Sequence, residues 1–316
     1  MTFLTSVRRR GYAYLFLLPS LAVVALISLY PLAFGIYMAF TDISTRRGTW
    51  YRWHLVGLEN FERLASELLS WRYGLGRALL NTIVFTVINV GLQVLTGLAA
   101  ALFLNMEVLP AKRLFRSLFI VPWAVPGYVS IMAWFFLYNY SYGYLNQILL
   151  NLGFDRVDWL GMASSNTFWP WVSIHVTNTW LAYPFMMSVV LAALQSVPKE
   201  LIDAARVDGA SGPQIFRSVV LPHIRPPPVF ATILTTITTF QQFGVVWILT
   251  GGGPLLKEEW GGHIVTIYAT DTLMTYGYRM IFQLGEYGLA AAYSLLLMAM
   301  VVPVSLAVMK RFGGVE

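Results

Sequence analysis

Six stretches of the chain contain no Asp, Glu, Lys or Arg: Gly11–Thr41, Ala78–Met106, Ser117–Phe154, Trp159–Pro198, Pro226–Leu256 and Tyr287–Met309. Each holds an apolar block long enough for a helix of roughly 20 residues, the length needed to cross bilayer hydrocarbon. The pattern predicts helices at about 14–38, 80–104, 116–138, 171–194, 229–249 and 289–309. The third and fourth stretches have room for two helices each. However, Asn139–Asn151 is rich in Tyr, Asn, Ser and Gly, and Gly161–Asn166 in small polar residues, so both read as interfacial loop. The expected fold is an all-α polytopic membrane protein, a single transmembrane domain over residues 1–316. The first apolar run follows Arg8-Arg9-Arg10, as a secretory signal would. It exceeds the hydrophobic region of about 7–15 residues typical of such signals, and it reads as an uncleaved first helix.

Composition agrees. Hydrophobic residues make up 57% of the 316 and charged residues only 11%, against about 25% charged in a soluble domain. An ordinary soluble enzyme and a disordered chain are both excluded. The 11 Trp and 17 Tyr suit a chain whose amphipathic rings settle at membrane interfaces. The absence of Cys excludes disulfides, thiolate catalysis and Cys-ligated metals. In such a chain the net charge of +6 speaks of sidedness rather than of nucleic acid.

With the N-terminus placed inside, the inner segments (1–11, 105–116, 195–226, 310–316) hold 12 Lys and Arg in 62 residues. The outer segments (41–77, 139–166, 250–286) hold 9 in 102 residues. The positive-inside rule therefore favours cytoplasmic termini, although 41–77 alone carries six Arg. No Asp, Glu, Lys or Arg falls deep in an apolar segment, which speaks against an ion-coupled carrier, whose relay is usually a carboxylate. His175 can titrate, but a lone His near an interface is more commonly just hydrogen-bonded.

The segment 195–226 has a pattern of its own. Pro198 suits a first helical turn, and Leu201, Ala204, Ala205 and Asp208 share a face at i, i+3, i+4 and i+7. Gly209 fits a left-handed stop, Ser211 with Gln214 forms a capping-box pattern, and a second helix is expected to end at Pro222. A bland connecting loop accounts for the helices but not for a small-residue face turned to the cytosol.

Asp203-Ala204-Ala205, three residues, Gly209, nine residues and Val219-Val220-Leu221-Pro222 resemble the EAA loop of ABC importer permeases, E-A-A-x3-G-x9-I-x-L-P, with Asp for Glu and Val for Ile. Val56-Gly57-Leu58-Glu59-Asn60-Phe61, Asn81-Thr82, Pro122-Trp123-Ala124-Val125-Pro126, Trp180–Met186 and Leu249-Thr250-Gly251-Gly252-Gly253-Pro254 are similar to the MalF-like permeases of the carbohydrate uptake family. The resemblance implies the type I ABC importer permease fold: six transmembrane helices and a cytoplasmic coupling helix. It implies an ATPase contact at Asp203, Ala204, Ala205, Asp208, Gly209, Val219, Leu221 and Pro222. It further implies a second MalF/MalG-type permease, two ATPase subunits, an extracytoplasmic sugar-binding protein, and residence in the cytoplasmic membrane of a bacterium or archaeon. No cofactor is expected in this chain, ATP and Mg being bound by the ATPase. None of Lys112, Lys199, Lys257 and Lys310 follows Gly, so no Walker A loop exists here. Gly251-Gly252-Gly253 therefore reads as a turn.

A sugar needs amide or hydroxyl partners and an aromatic or aliphatic wall. The fifth segment carries Thr232, Thr235, Thr236, Thr238, Thr239, Gln241 and Gln242, and Thr235, Thr239 and Gln242 form one stripe. In the fourth, Asn178, Leu181, Ala182 and Phe185 fall close to one face. Interhelical hydrogen bonding alone explains the threonines but explains the two adjacent glutamines less well. The resemblance places substrate contacts at Asn178, Leu181, Ala182, Phe185, Thr235, Thr239 and Gln242, with Phe185 and Gln242 where the maltose-type permease has Tyr and Asn. The segment 255–285 receives no function from the sequence. Against a transport subunit stand two weaker readings, a polytopic membrane enzyme and an ion-coupled secondary transporter. The first lacks any catalytic motif at membrane depth, the second a charged relay.

Overall fold

The computed structural model describes residues 11–69, 74–106, 108–260 and 263–312; the Arg8-Arg9-Arg10 run and Gly261-Gly262 lie outside them. Packing divides the chain into two compact units, residues 1–66 with 277–303, and residues 67–276 with 304–316.

The first unit opens with an unbroken helical run: α1 (Gly11–Val24), a π-helical turn (Ala25–Leu29) and α2 (Tyr30–Met38). Phe16–Met38, 23 residues, is long and apolar enough to cross a membrane, and none of its most apolar window is buried. The π turn has a local cause. Pro31 has no N–H, and its ring would meet the carbonyl of Ile27 in a regular helix, so the turn before it widens and the Tyr30 N–H bonds the Ala25 carbonyl instead. The following loop is pinned by Asn60, in the first turn of α3 (Glu59–Leu68). Its amide donates to the carbonyls of Ala39 (3.0 Å) and Thr41 (2.8 Å). This gives the Glu59-Asn60-Phe61 pattern a structural reason. The unit closes with the second half of α14 (Leu273–Phe282) and with α15 (Tyr287–Phe312) as far as Pro303. Arg47 pairs with the buried Glu286 (3.4 Å), Gly288 donates to the Ile43 carbonyl (2.9 Å), and the rings of Trp50 and Tyr287 meet at 4.9 Å.

The second unit is built on α4 (Gly74–Asn105) and α8 (Phe168–Gln195). They run parallel. Asn89 meets His175 (2.8 Å) and Thr179 (3.5 Å), while two turns on Gly97 abuts Met186 and Met187. A Cβ on Gly97 would lie 2.7 Å from the Met186 Cβ and 2.9 Å from the Met187 nitrogen, so only glycine permits this approach. His175 is thus a hydrogen-bonded helix residue, as expected. One apolar core gathers Leu104, Met186, Val190, Leu194, Ile215, Val220 and Ile224. Another gathers Phe85, Ile131, Ile174, Val245, Val246 and Leu249.

Two expected helices are broken. The third is α5 (Lys112–Ala124) and α6 (Gly127–Leu137), bent by 94°. Pro126 disfavours helical geometry at the residue before it, and Val125 is extended (φ −100°, ψ 135°). The fifth is α12 (Pro226–Phe240) and α13 (Gly244–Thr250), bent by 42° across Gln241-Gln242-Phe243. By length and composition the described residues hold three uninterrupted spans, or five if each bent pair counts as one; the apolar part of α15, Tyr287–Pro303, is shorter.

Between the spans lie α7 (Tyr144–Asn151), α9 (Lys199–Val207), α10 (Gly212–Ile215), a second π turn (Phe216–Val220) and α11 (Leu221–Ile224). The helix expected to stop at Pro222 continues to Ile224. The π turn places Leu221 N–H on the Phe216 carbonyl, and the wider turn relieves the clash of Pro222 with the carbonyl four residues back. One segment is not helical at all. β1 (Leu255–Trp260) and β2 (His263–Tyr268) pair antiparallel, Leu255 opposite Tyr268 and Lys257 opposite Thr266. Below the hairpin, Asn81 donates to the carbonyls of Ala269 (3.1 Å) and Asp271 (2.8 Å), and Thr82 accepts from the Leu273 N–H (2.8 Å). The Asn81-Thr82 pair therefore anchors the return of the chain into α14.

Candidate functional site

The two helix breaks meet at one cavity of about 530 Å3, lined by Pro122, Trp123, Val125, Gly127, Tyr128, Ile131, Leu181, Gln241, Gln242, Phe243 and Gly244. A break frees backbone groups that only protein or a polar cavity can satisfy at membrane depth. The same breaks expose side chains that a continuous helix would lay along its neighbours. Trp123 is 52% exposed and Tyr128 64%, one on each side of the α5–α6 bend. Neither belongs to the set expected from sequence, although Trp123 sits inside the Pro122–Pro126 pattern already singled out.

Of that set, Leu181 and Gln242 line the cavity. Asn178 stands behind Gln242: the Gln242 amide donates to its Oδ1 at 3.0 Å. Asn178 is only 2% exposed, and its Nδ2 has no partner. Phe185, half-buried, stacks on Trp123 with centroids 6.0 Å apart and planes at 28°, so it supports the aromatic wall. Ala182 is half-buried and off the wall. Thr235 and Thr239 are buried and do not line the cavity. With Ala231 they are the buried residues of α12, a helix that packs against α4 and α8, and the stripe they share with Gln242 ends where the helix bends. The remaining threonines serve their own helix: Thr232, Thr236 and Thr238 donate to the carbonyls of Pro228 (2.8 Å), Thr232 (2.8 Å) and Leu234 (3.2 Å). Cavity-facing chemistry is thus two adjacent glutamines, two exposed aromatics and an aliphatic floor, with no charged side chain in the lining.

The loop 195–226 forms a separate site. Pro198 is extended (ψ 131°) and precedes α9 rather than opening it. The helix ends as expected: Gly209 has φ +79°, Gly209 N–H bonds the Arg206 carbonyl (3.0 Å) and Ala210 N–H the Ala205 carbonyl (3.0 Å). This is the paired bonding of a Schellman stop. Ser211 donates through both its N–H and its hydroxyl to the Gln214 Oε1, each at 2.8 Å. The expected common face divides. Leu201, Ala204, Asp208 and Gly209 are exposed, as is Val207, whereas Ala205 and Ile202 turn toward the core of Leu194, Ile215 and Val220. Asp203 is exposed and held by Arg206 at 3.1 Å. Leu221 and Pro222 are exposed on the following turn, and Val219 is half-buried. Neither site holds three metal-ligating side chains together; among the described residues no such group exists.

Residues 93–311 match the family described as "binding-protein-dependent transport system inner membrane component". The chain is 34% identical over 305 residues, covering 96% of itself and 94% of the relative, to the trehalose/maltose transport system permease protein MalF of Thermococcus litoralis. It is 32% identical over 302 residues, 94% of itself and 69% of the relative, to the galactooligosaccharides transport system permease protein GanP of Bacillus subtilis. In fold it resembles a chain of the bacterial alginate ABC transporter solved with an alginate pentasaccharide-bound periplasmic protein, with TM-score 0.70, 22% identity, and 98% and 97% of the two chains covered. The helix order, the Schellman-stopped loop helix and the match over more than two thirds of its length therefore agree: this chain belongs to the inner membrane components of binding-protein-dependent transport systems.

Proposed function

We propose that this chain is one permease half of an ATP-driven importer and passes a neutral saccharide through the cavity at its helix breaks. The observation that carries this is the Gln242–Asn178 amide pair at 3.0 Å, set beside the exposed rings of Trp123 and Tyr128 in an uncharged cavity. Amides exchange hydrogen bonds with hydroxyls in both directions, and aromatic faces cover the apolar faces of a sugar ring. An anionic sugar would call for Arg or Lys in the wall, and the lining has neither. The names of the relatives, trehalose/maltose and galactooligosaccharides, support a sugar cargo.

In this reading the exposed face Leu201, Ala204, Val207 and Asp208, with Asp203, Gly209, Leu221 and Pro222 beside it, docks on an ATPase subunit. Val219 and Ala205 hold that face to the helices behind. Small residues at the outward surface let the partner approach closely, and the Schellman stop gives the docking helix a defined end. The partners are a second permease of the same family, two ATPase subunits that bind ATP and Mg, and an external sugar-binding protein. In this reading both termini lie on the cytoplasmic side, which the Lys and Arg distribution favours. ATP binding and binding-protein docking shift the population between outward- and inward-open cavities.

The test is uptake of radiolabelled maltose into proteoliposomes that hold this chain with its partner permease and ATPases, with binding protein supplied outside. Uptake that needs both ATP and binding protein is expected, and Trp123→Ala lowers it about tenfold. Purification of the chain free of any ATPase, together with ATP-independent uptake, would overturn the proposal.

A further inference from the structure

Gln93 lies in the middle of α4, is 0% exposed, and neither its Oε1 nor its Nε2 has a hydrogen-bond partner. The buried hydroxyl and amide side chains of Thr82, Thr86 and Asn89 on the same helix are served. Thr82 donates to the Ala78 carbonyl (2.7 Å), Thr86 to the Thr82 carbonyl (2.7 Å), and the Asn89 amide to the Phe85 carbonyl (2.9 Å) and to His175 (2.8 Å). An amide at membrane depth with both ends unmet opposes the packing around it, so its presence calls for a use. Guanidinium nitrogens aside, the other buried side-chain polar atoms without a partner among the described residues are Ser130 Oγ and Asn178 Nδ2. Both belong to helices of the cavity wall, α6 and α8.

The register places Gln93 level with Leu181, a residue of the cavity lining. Asn89 meets His175 and Thr179, and Gly97 meets Met186 and Met187. Gln93 falls between these levels, opposite the turn of α8 that carries Leu181 and Ala182, one turn beyond Asn178. Helix α12, with buried Thr235 and Thr239, packs against both α4 and α8.

We propose that Gln93 is a substrate-contacting residue held in reserve: its amide is closed off in this conformation and meets sugar hydroxyls when α12 moves off the α4–α8 seam during the transport cycle. This rests on the importer reading above. An amide with all its bonding capacity free is suited to a hydroxyl-rich cargo. A purely structural amide would instead be tied to a carbonyl, as Asn89 is.

The chain contains no Cys, so Gln93→Cys introduces the only thiol in it. The assembled transporter is treated with a small thiol reagent and the labelling of this chain read by mass spectrometry, at rest and after trapping with vanadate and Mg-ATP. Position 93 is expected to stay unlabelled at rest and to label at least tenfold faster in one nucleotide state. A complex that hydrolyses ATP and never exposes position 93 overturns this inference while leaving the importer reading intact; a chain that binds no ATPase overturns both. A second variant, Gln93→Leu, separates transport from structure. The complex is expected to keep or raise its Tm, because an unmet amide is gone, while maltose uptake falls about tenfold. Full uptake, or a fall in Tm that matches the fall in uptake, would mean that the amide is structural.

Discussion

Gln242→Ala is a sharper probe of the site than its exposure suggests. Gln242 faces the cavity, and its amide donates to Asn178 Oδ1 at 3.0 Å. Hydrogen bonds between membrane helices contribute only about 0.6 kcal/mol on average. If the bond were all that was lost, the variant would be nearly neutral. However, Asn178 is 2% exposed and its Nδ2 is already without a partner. Removal of Gln242 leaves its Oδ1 unmet as well, and a buried polar group stripped of its partner costs about 1–3 kcal/mol. The orphan is the larger effect, so Gln242→Ala should destabilise by about 2 kcal/mol. Asn178→Leu acts differently. It removes the buried amide outright, and Gln242 can turn to the cavity. Its cost should stay below about 1 kcal/mol, and the double variant should resemble Asn178→Leu alone. A double-mutant cycle on detergent-solubilised protein, read by denaturant unfolding, should give a coupling above about 1 kcal/mol. Residues that do not interact add to within about 0.3–0.5 kcal/mol, and additivity at that level would refute the amide-pair argument.

Three further outcomes follow from the geometry. Gly97→Leu should separate α4 from α8, because a Cβ there already sits 2.7 Å from the Met186 Cβ; overpacking of about 1–3 kcal/mol should appear as a lower Tm and poor assembly, and an unchanged Tm would show that the helices do not approach so closely. Ala204→Trp should abolish ATPase co-purification without lowering the stability of the isolated chain, since Ala204 is exposed, whereas Ala205→Trp should lower both, since Ala205 turns to the core; equal behaviour of the two variants would contradict the observed facing of α9. Gly209→Val forces a β-branched residue to φ +79° and should cost more than about 1 kcal/mol, detectable as increased protease sensitivity of residues 199–215; an unaltered digestion pattern would count against the Schellman stop.

The helix positions were readable because a bilayer imposes a one-dimensional rule: apolar length without charge. The loop helix was readable because its stop and start are local. Gly209 and the Ser211–Gln214 cap act through backbone groups a few residues away, and the chemistry of those residues is enough to set them. Where Pro disturbs a helix, the sequence showed the disturbance but not its form. At Pro31 and Pro222 the chain absorbs it in a π turn and continues. At Pro126 it bends by 94°. The choice depends on what packs on the far side.

The hairpin at Leu255–Tyr268 had no alternating pattern to announce it, since Leu-Leu-Lys-Glu-Glu-Trp acquires two faces only by pairing with its partner strand. The cavity is non-local in the same way. Thr235, Thr239 and Gln242 make one stripe on paper, yet with the bend after Phe240 the threonines are buried and Gln242 is on the wall. Gln241, Trp123 and Tyr128 reach that wall only because two breaks, more than 100 residues apart in the chain, come together. By itself the sequence determined a membrane-embedded helical chain and the local stop and cap of its 195–226 loop, because those depend on length and short-range backbone chemistry. The tertiary structure alone decided which polar side chains are buried without partners and which line the cavity, because helix facing is set by neighbours distant in sequence.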